Sequence, residues 1–297
     1  MQNASIRRNP ARAIIGKAPL LYGAIRFEHT IFALPFAYLG MVLAADGWPG
    51  WVPFIWITVA MASARTLAMA SNRLIHHKED AANPRTANRH LPQGLLKPWE
   101  IGLLMALATA VFLIAASQLN RLALILAPVA AAYVVLYSYA KYYTWASHFV
   151  LGWADAIAPA AAWIGITGHL DPKAVLLAFA VATWIAGFDI IYSCSDYDFD
   201  REYGVHSIPR RFGIAAGLWI TKGLHLLTAA SLLALGLWMH LGFPYYIGWA
   251  LAGALLVYEN SLVRPNDLSK LNLAFFRVNS YISALLFIFT TLGVVFK

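Results

Sequence analysis

A chain of 297 residues that is 60% hydrophobic and only 12% charged cannot cover a soluble surface, where about a quarter of residues carry charge; lipid must cover much of it. The net charge of +8 is spread through the gaps between apolar runs rather than gathered on one arm. That distribution speaks for membrane topology and against a nucleic-acid partner. The single cysteine, Cys194, excludes an intrachain disulfide framework and any multi-cysteine metal site.

Residues 1–19 hold Arg7, Arg8, Arg12 and Lys17 but no apolar core of a secretion signal, so they are expected to form a cytoplasmic tail. A membrane span needs about 20 apolar residues. Runs of that kind predict about nine helices, near 20–45, 51–75, 98–118, 121–141, 146–168, 173–195, 214–238, 241–258 and 271–295. Residues 20–297 therefore read as one all-α domain, a polytopic transmembrane helical bundle. Two connectors are long and polar, 76–97 and 196–213, and a shorter one covers 259–270. On the side of the N-terminus lie Arg73, Lys78, Arg85, Arg89, Lys97, Lys141, Arg201, Arg210, Arg211, Arg264 and Lys270. The opposite side offers Arg121, Lys173 and Lys297. The positive-inside rule then puts the N-terminus and the long connectors in the cytoplasm, as the polar cap of a multi-pass inner (cytoplasmic) membrane protein.

Asp155 and Asp189 fall inside predicted spans, where an ionisable group costs several kcal/mol and normally faces a polar interior. At the end of the sixth span, Asp196 and Asp200 are four residues apart and share a helical face, with Asp189 two turns earlier on the same stripe. Like charges so placed repel unless a cation compensates. Their hard oxygens suit Mg²⁺, which is typically held by one or two carboxylates plus substrate phosphates. The second span ends in a matching cluster, Asn72, His76 and Asp80, again on one face. Imidazole suits Mg²⁺ poorly, so His76 is the better candidate for a hydrogen bond to phosphate. The two helix ends, each followed by a Pro- and Arg-containing loop, echo each other as a parallel repeat. Arg73, Lys78, Arg85, Arg89, Lys141, Arg201, Arg210 and Arg211 surround the clusters as candidate clamps for a polyanion.

The motifs resemble those of the UbiA superfamily of intramembrane aromatic prenyltransferases, over essentially the whole chain after the tail. The family pattern NDxxDxxxD reads NRLIHHKED here, with Arg73 and His76 in place of two aspartates. Its later DxxxD reads Asp196 to Asp200, followed by Arg201. Its Tyr-x-Tyr-x-Lys reads Tyr137, Tyr139 and Lys141, and the usual following Arg is Tyr142. The stretches IRFEHTIFALPFAY, NPRTANRHLP, GVHSIPRRFG and YENSLVRPNDLSKLNLAFF look like the 4-hydroxybenzoate polyprenyltransferase branch linked to futalosine-route menaquinone synthesis.

The resemblance implies nine helices around a central cavity in which a polyprenyl diphosphate and an aromatic acid react with Mg²⁺. It implies Asn72, Asp80, Asp196 and Asp200 as metal ligands, and Asp196, Asp200, Lys141 and Asp189 as catalytic groups. Arg26, Asn72, Arg73, His76, Arg85, Arg89, Tyr137, Tyr139, Arg201 and Arg210 are implied to bind substrate, with Arg26 near the aromatic acid. Tyr192 and Trp184 are further candidates for the walls that keep water from an allylic cation. The replacement at His76 also fits a catalytically impaired homologue that binds prenyl lipid. Intramembrane aspartates fit a transporter, but motifs at the cytoplasmic rim rather than the midplane speak against one.

Overall fold

The computed structural model describes residues 16–26 and 30–297; the expected tail up to Ile15 lies outside them. The described elements are helices and turns. The run predicted at 20–45 is broken in two: α1 (Ala18–Ala24) and α2 (Thr30–Ala45). Arg26 takes φ 47° in the turn after α1, a left-handed backbone that ends a helix. This turn keeps its charged side chain exposed instead of carrying it into a span. With seven residues α1 is too short to cross a bilayer. It is tied down by Lys17, whose Nζ lies 2.9 and 3.0 Å from the two Glu100 oxygens, and by Arg73 Nε, which donates to the Ala24 carbonyl at 3.1 Å.

The remaining long helices follow the apolar runs: α3 (Trp51–Ile75), α5 (Pro98–Ser117), α6 (Arg121–Leu136), α8 (Ser147–Thr167), α9 (Pro172–Ser193), α12 (Ile214–Trp238), α13 (Phe243–Leu262) and α14 (Asn279–Val295). Short helices intervene: α4 (His77–Ala82), α7 (Ala140–Tyr143), α10 (Tyr197–Tyr203) and α11 (Ile208–Phe212). Local chemistry sets several starts. Asn120 Oδ1 accepts from Ala123 N at 2.9 Å and Asp171 Oδ1 from Lys173 N at 2.7 Å, satisfying amides that have no partner inside the helix. Proline stands in the first turn of α5 and α9, where its missing N–H is not needed.

Among the described residues seven helical segments are long and apolar enough to cross a membrane, so the chain is a multi-pass helical bundle. Successive helices pack in order, α3 on α5, α5 on α6, and so on to α13 on α14; α14 then packs on α2 and α2 on α3. The ring closes. Its most enclosed member is α9, whose apolar window is 72% buried against 17–44% for the other six segments. α9 can be so enclosed because small residues let backbones approach. A Cβ added at Gly152 of α8 would stand 2.3 Å from the Ala182 carbonyl oxygen of α9.

Candidate active site

The ends of α3 and α9 meet on one face of the ring, each followed by a short helix, α4 and α10. α3 stops at His76 (φ −96°, ψ 18°), and α9 ends in a 3-10 turn at Cys194–Asp196. After α4, Asn83 folds a turn: its Oδ1 accepts from Arg85 N at 2.9 Å while its Nδ2 donates to Asp196 Oδ1 at 3.0 Å. The turn aims Arg85 at Asp196. Arg85 Nε and Nη2 donate to the two Asp196 oxygens at 2.9 and 2.6 Å, the bidentate geometry that makes such pairs strong. Arg85 Nη1 donates to Tyr192 Oη at 2.6 Å, and the guanidinium carbon stands 5.1 Å from the Tyr192 ring centre. Burial opposes the charge on Arg85, but the Asp196 bond and charge outweigh it and raise its pKa above the ordinary value.

Asp80 is buried. Its Oδ1 accepts from Arg89 Nη1 at 2.6 Å, while Oδ2 has no hydrogen-bond partner among the described residues. Asp200 is buried as well and accepts from Ser207 Oγ at 2.8 Å; Ser207 in turn caps α11, accepting from Arg210 N at 3.3 Å. Lys141 stands within electrostatic reach of Asp80, Asp200, Glu79 and Asp196, and its carbonyl accepts from His206 N at 2.9 Å. The two motifs thus converge on one cationic residue and one Arg–Asp pair.

Other candidates are engaged elsewhere. Asp189 accepts from His148 Nδ1 at 2.7 Å, and His148 Nε2 accepts from Ile208 N at 3.2 Å, which braces α8, α9 and α11 together. The 3-10 turn breaks the helical register between Asp189 and the Asp196–Asp200 pair. Arg73 Nη1 lies 3.5 Å from Asn72 Oδ1. Arg210 donates to the carbonyls of Gly204 and Val205 at 2.7 and 3.0 Å. Arg201 lies over the Tyr197 ring at 5.5 Å, and Tyr139 and Asp198 are exposed. His76, 2% exposed, pairs through Nδ1 with Tyr142 Oη at 2.8 Å. Burial first, then the charges of Lys141, Arg73 and Arg89, push its pKa down to about 2, against a weaker pull from the Ser138 backbone. The ring is neutral at physiological pH and spends its nitrogens on protein partners.

A divalent metal can be tested against these donors. Among the described residues no three His, Cys, Asp or Glu side chains gather as a self-sufficient metal cluster. The site fits Mg²⁺ differently: it asks for one or two carboxylates plus phosphate oxygens, and the unpartnered Asp80 Oδ2, buried beside cations, is such a donor.

Beneath Tyr137 a cavity of about 540 Å³ runs between α3, α5, α6 and α8. Its walls are mostly Ala, Leu, Ile and Met, broken by Arg65, Asp155, Tyr133 and Tyr137. Val129 and Trp153 line it and are among the exposed large apolar residues. Sequence reasoning singled out Asp155 but missed Arg65, a cation within an apolar run to which the same cost argument applies. It also missed Asn83, whose Asn-Pro step signals the turn that it makes.

The family model for the UbiA prenyltransferase family matches residues 33–281. A protein named 4-hydroxybenzoate octaprenyltransferase from Aliivibrio fischeri (strain ATCC 700601 / ES114) is 30% identical over 84% of this chain and 86% of its own length. One of the same name from Vibrio parahaemolyticus is 32% identical over 76% of this chain and 80% of its own. The apo structure of a UbiA homolog from Aeropyrum pernix K1 superposes with a TM-score of 0.82 at 29% identity, covering 89% of this chain and 97% of that one. A UbiA homolog from Archaeoglobus fulgidus bound to DMAPP and Mg²⁺ shares the fold, with a TM-score of 0.73 at 19% identity over 93% of this chain and 99% of that one.

Proposed function

This chain belongs to the UbiA prenyltransferase family, and we propose that it transfers a polyprenyl chain from a polyprenyl diphosphate to the ring of an aromatic carboxylic acid, in quinone synthesis. The observation that carries the reading is the Arg85–Asp196 pair, which joins the two motif loops across 111 residues of sequence. A guanidinium on a carboxylate is a stand-in arrangement: a diphosphate offers Arg85 the same planar pair of acceptors. Arg85, Arg89 and Lys141 then hold the diphosphate, while Asn72, Asp80, Asp196 and Asp200 would hold Mg²⁺. The metal, when bound, neutralises charge that develops on the departing diphosphate.

The bond between the allylic carbon and the diphosphate oxygen breaks, and its electron pair leaves with the diphosphate that the cations steady. A ring carbon of the acid donates a pair to the allylic carbon, and the ring then loses a proton. The apolar cavity takes the prenyl tail and excludes water from the cation. Arg65 in its wall is better placed than the exposed Arg26 to meet the acid's carboxylate, and Asp155 in the same wall is the carboxylate available for the ring proton. The segment 20–297 acts as one domain in this reading, with its polar cap on the cytoplasmic side of the inner membrane.

Purified protein incubated with Mg²⁺, a polyprenyl diphosphate and either 4-hydroxybenzoate or a dihydroxynaphthoate is expected to yield a prenylated acid by mass spectrometry. Binding of the diphosphate without product from either acid would support the impaired homologue instead.

A further inference from the structure

Three buried polar side chains sit outside the site just described, on three different helices. Trp184 of α9, Glu259 of α13 and Asn279 of α14 are 1%, 0% and 8% exposed. Trp184 Nε1 donates to Asn279 Oδ1 at 2.7 Å, and Asn279 Nδ2 donates to Glu259 Oε1 at 2.9 Å. Burying such groups costs free energy unless each finds a partner. Asn279 carries two N–H donors on Nδ2, so Glu259 alone does not satisfy it. Its Nδ2 also reaches back to the Ala274 and Phe275 carbonyls, at 3.2 and 3.0 Å.

Those carbonyls belong to a π-helical turn, Leu273–Val278, that precedes α14. Such turns are rare and occur frequently at functional sites. The turn presents Phe275 to the site. Its ring stacks on Tyr192 at 4.2 Å between centres, with an interplanar angle of 26°. Tyr192 is the residue whose hydroxyl accepts from Arg85 Nη1 at 2.6 Å.

We propose that Asn279, oriented by Glu259 and Trp184, is a positioning residue: it fixes the π turn so that Phe275 holds Tyr192, and Tyr192 holds Arg85 in line for the diphosphate. The proposal rests on the reading of Arg85 as a diphosphate group. A preorganised guanidinium loses less freedom when it binds, so loosening the clamp weakens binding without removing any group that touches the ligand. Pairs that act through one another are non-additive in double-mutant cycles.

The test uses the full chain and two readouts: binding of inorganic diphosphate with Mg²⁺ by calorimetry, and hydrogen-exchange protection of residues 83–89. Asn279→Ala and Glu259→Leu are each expected to weaken diphosphate binding about tenfold and to lower that protection. Glu259→Gln keeps an acceptor for Asn279 and is expected to restore both. In an Arg85→Ala background, Asn279→Ala is expected to add nothing to the loss of binding. An additive loss in that background, or wild-type protection of 83–89 in Asn279→Ala, overturns the clamp. If the unmodified protein fails to bind diphosphate, the functional reading fails, and the protection of 83–89 still decides whether the clamp exists.

Discussion

Asp200→Asn is expected to lower Mg²⁺-dependent prenyl transfer roughly a thousandfold, because metal-borne charge stabilisation is worth several kcal/mol in such steps. The substitution is chosen for what it leaves alone. Ser207 Oγ, which donates to Asp200 Oδ2, still finds an acceptor in the asparagine carbonyl. The cap of α11 therefore survives, and stability should fall by no more than the roughly 1 kcal/mol typical of one hydrogen bond. Turnover measured beside a thermal melt separates the two effects. A variant that melts like the wild type and turns over like it would remove Asp200 from the metal site.

His76→Asp is expected to move the other way. In the wild type the ring is neutral, buried and paired with Tyr142, so it contributes neither charge nor a free nitrogen to a ligand. An aspartate there would add a hard anionic oxygen in a place already surrounded by Lys141, Arg73 and Arg89. One such contact is worth roughly 1–3 kcal/mol, or about 5- to 150-fold in apparent Mg²⁺ affinity. Mg²⁺ titrations at several fixed prenyl diphosphate concentrations read this directly. Weaker binding of the prenyl substrate, with the Mg²⁺ dependence unchanged, would show that His76 serves the phosphates after all.

Most of the fold was legible because its determinants are local. Apolar runs bounded by proline, glycine or charge mark α3 and α12 residue for residue, and hydrophobic length is a property of the run itself. The break at Arg26 was not, since a left-handed φ in a non-glycine residue leaves no trace in hydropathy. Within the site, spacing grouped Asp196 with Asp200, and the two do stand within electrostatic reach of each other. Between that pair and Asp189 lies a 3-10 turn, Cys194–Asp196, which periodicity does not reveal. Pairings between distant segments were hidden for a different reason. Arg85 and Asp196, or His76 and Tyr142, stand 111 and 66 residues apart, and only packing brings them together. The second of these pairs joins two of the three positions that depart from the family motifs, so one departure provides the partner of the other.

The Arg85–Asp196 cap as the diphosphate site is tested most directly by a structure of the protein with Mn²⁺ in place of Mg²⁺ and an unreactive prenyl thiodiphosphate. Anomalous scattering is expected to place the metal against Asp80, Asp196 and Asp200, with the phosphates on Arg85 where Asp196 stands in the free protein and the prenyl tail in the cavity beneath Tyr137. A diphosphate bound away from Arg85, with the Arg85–Asp196 pair intact, would contradict the account.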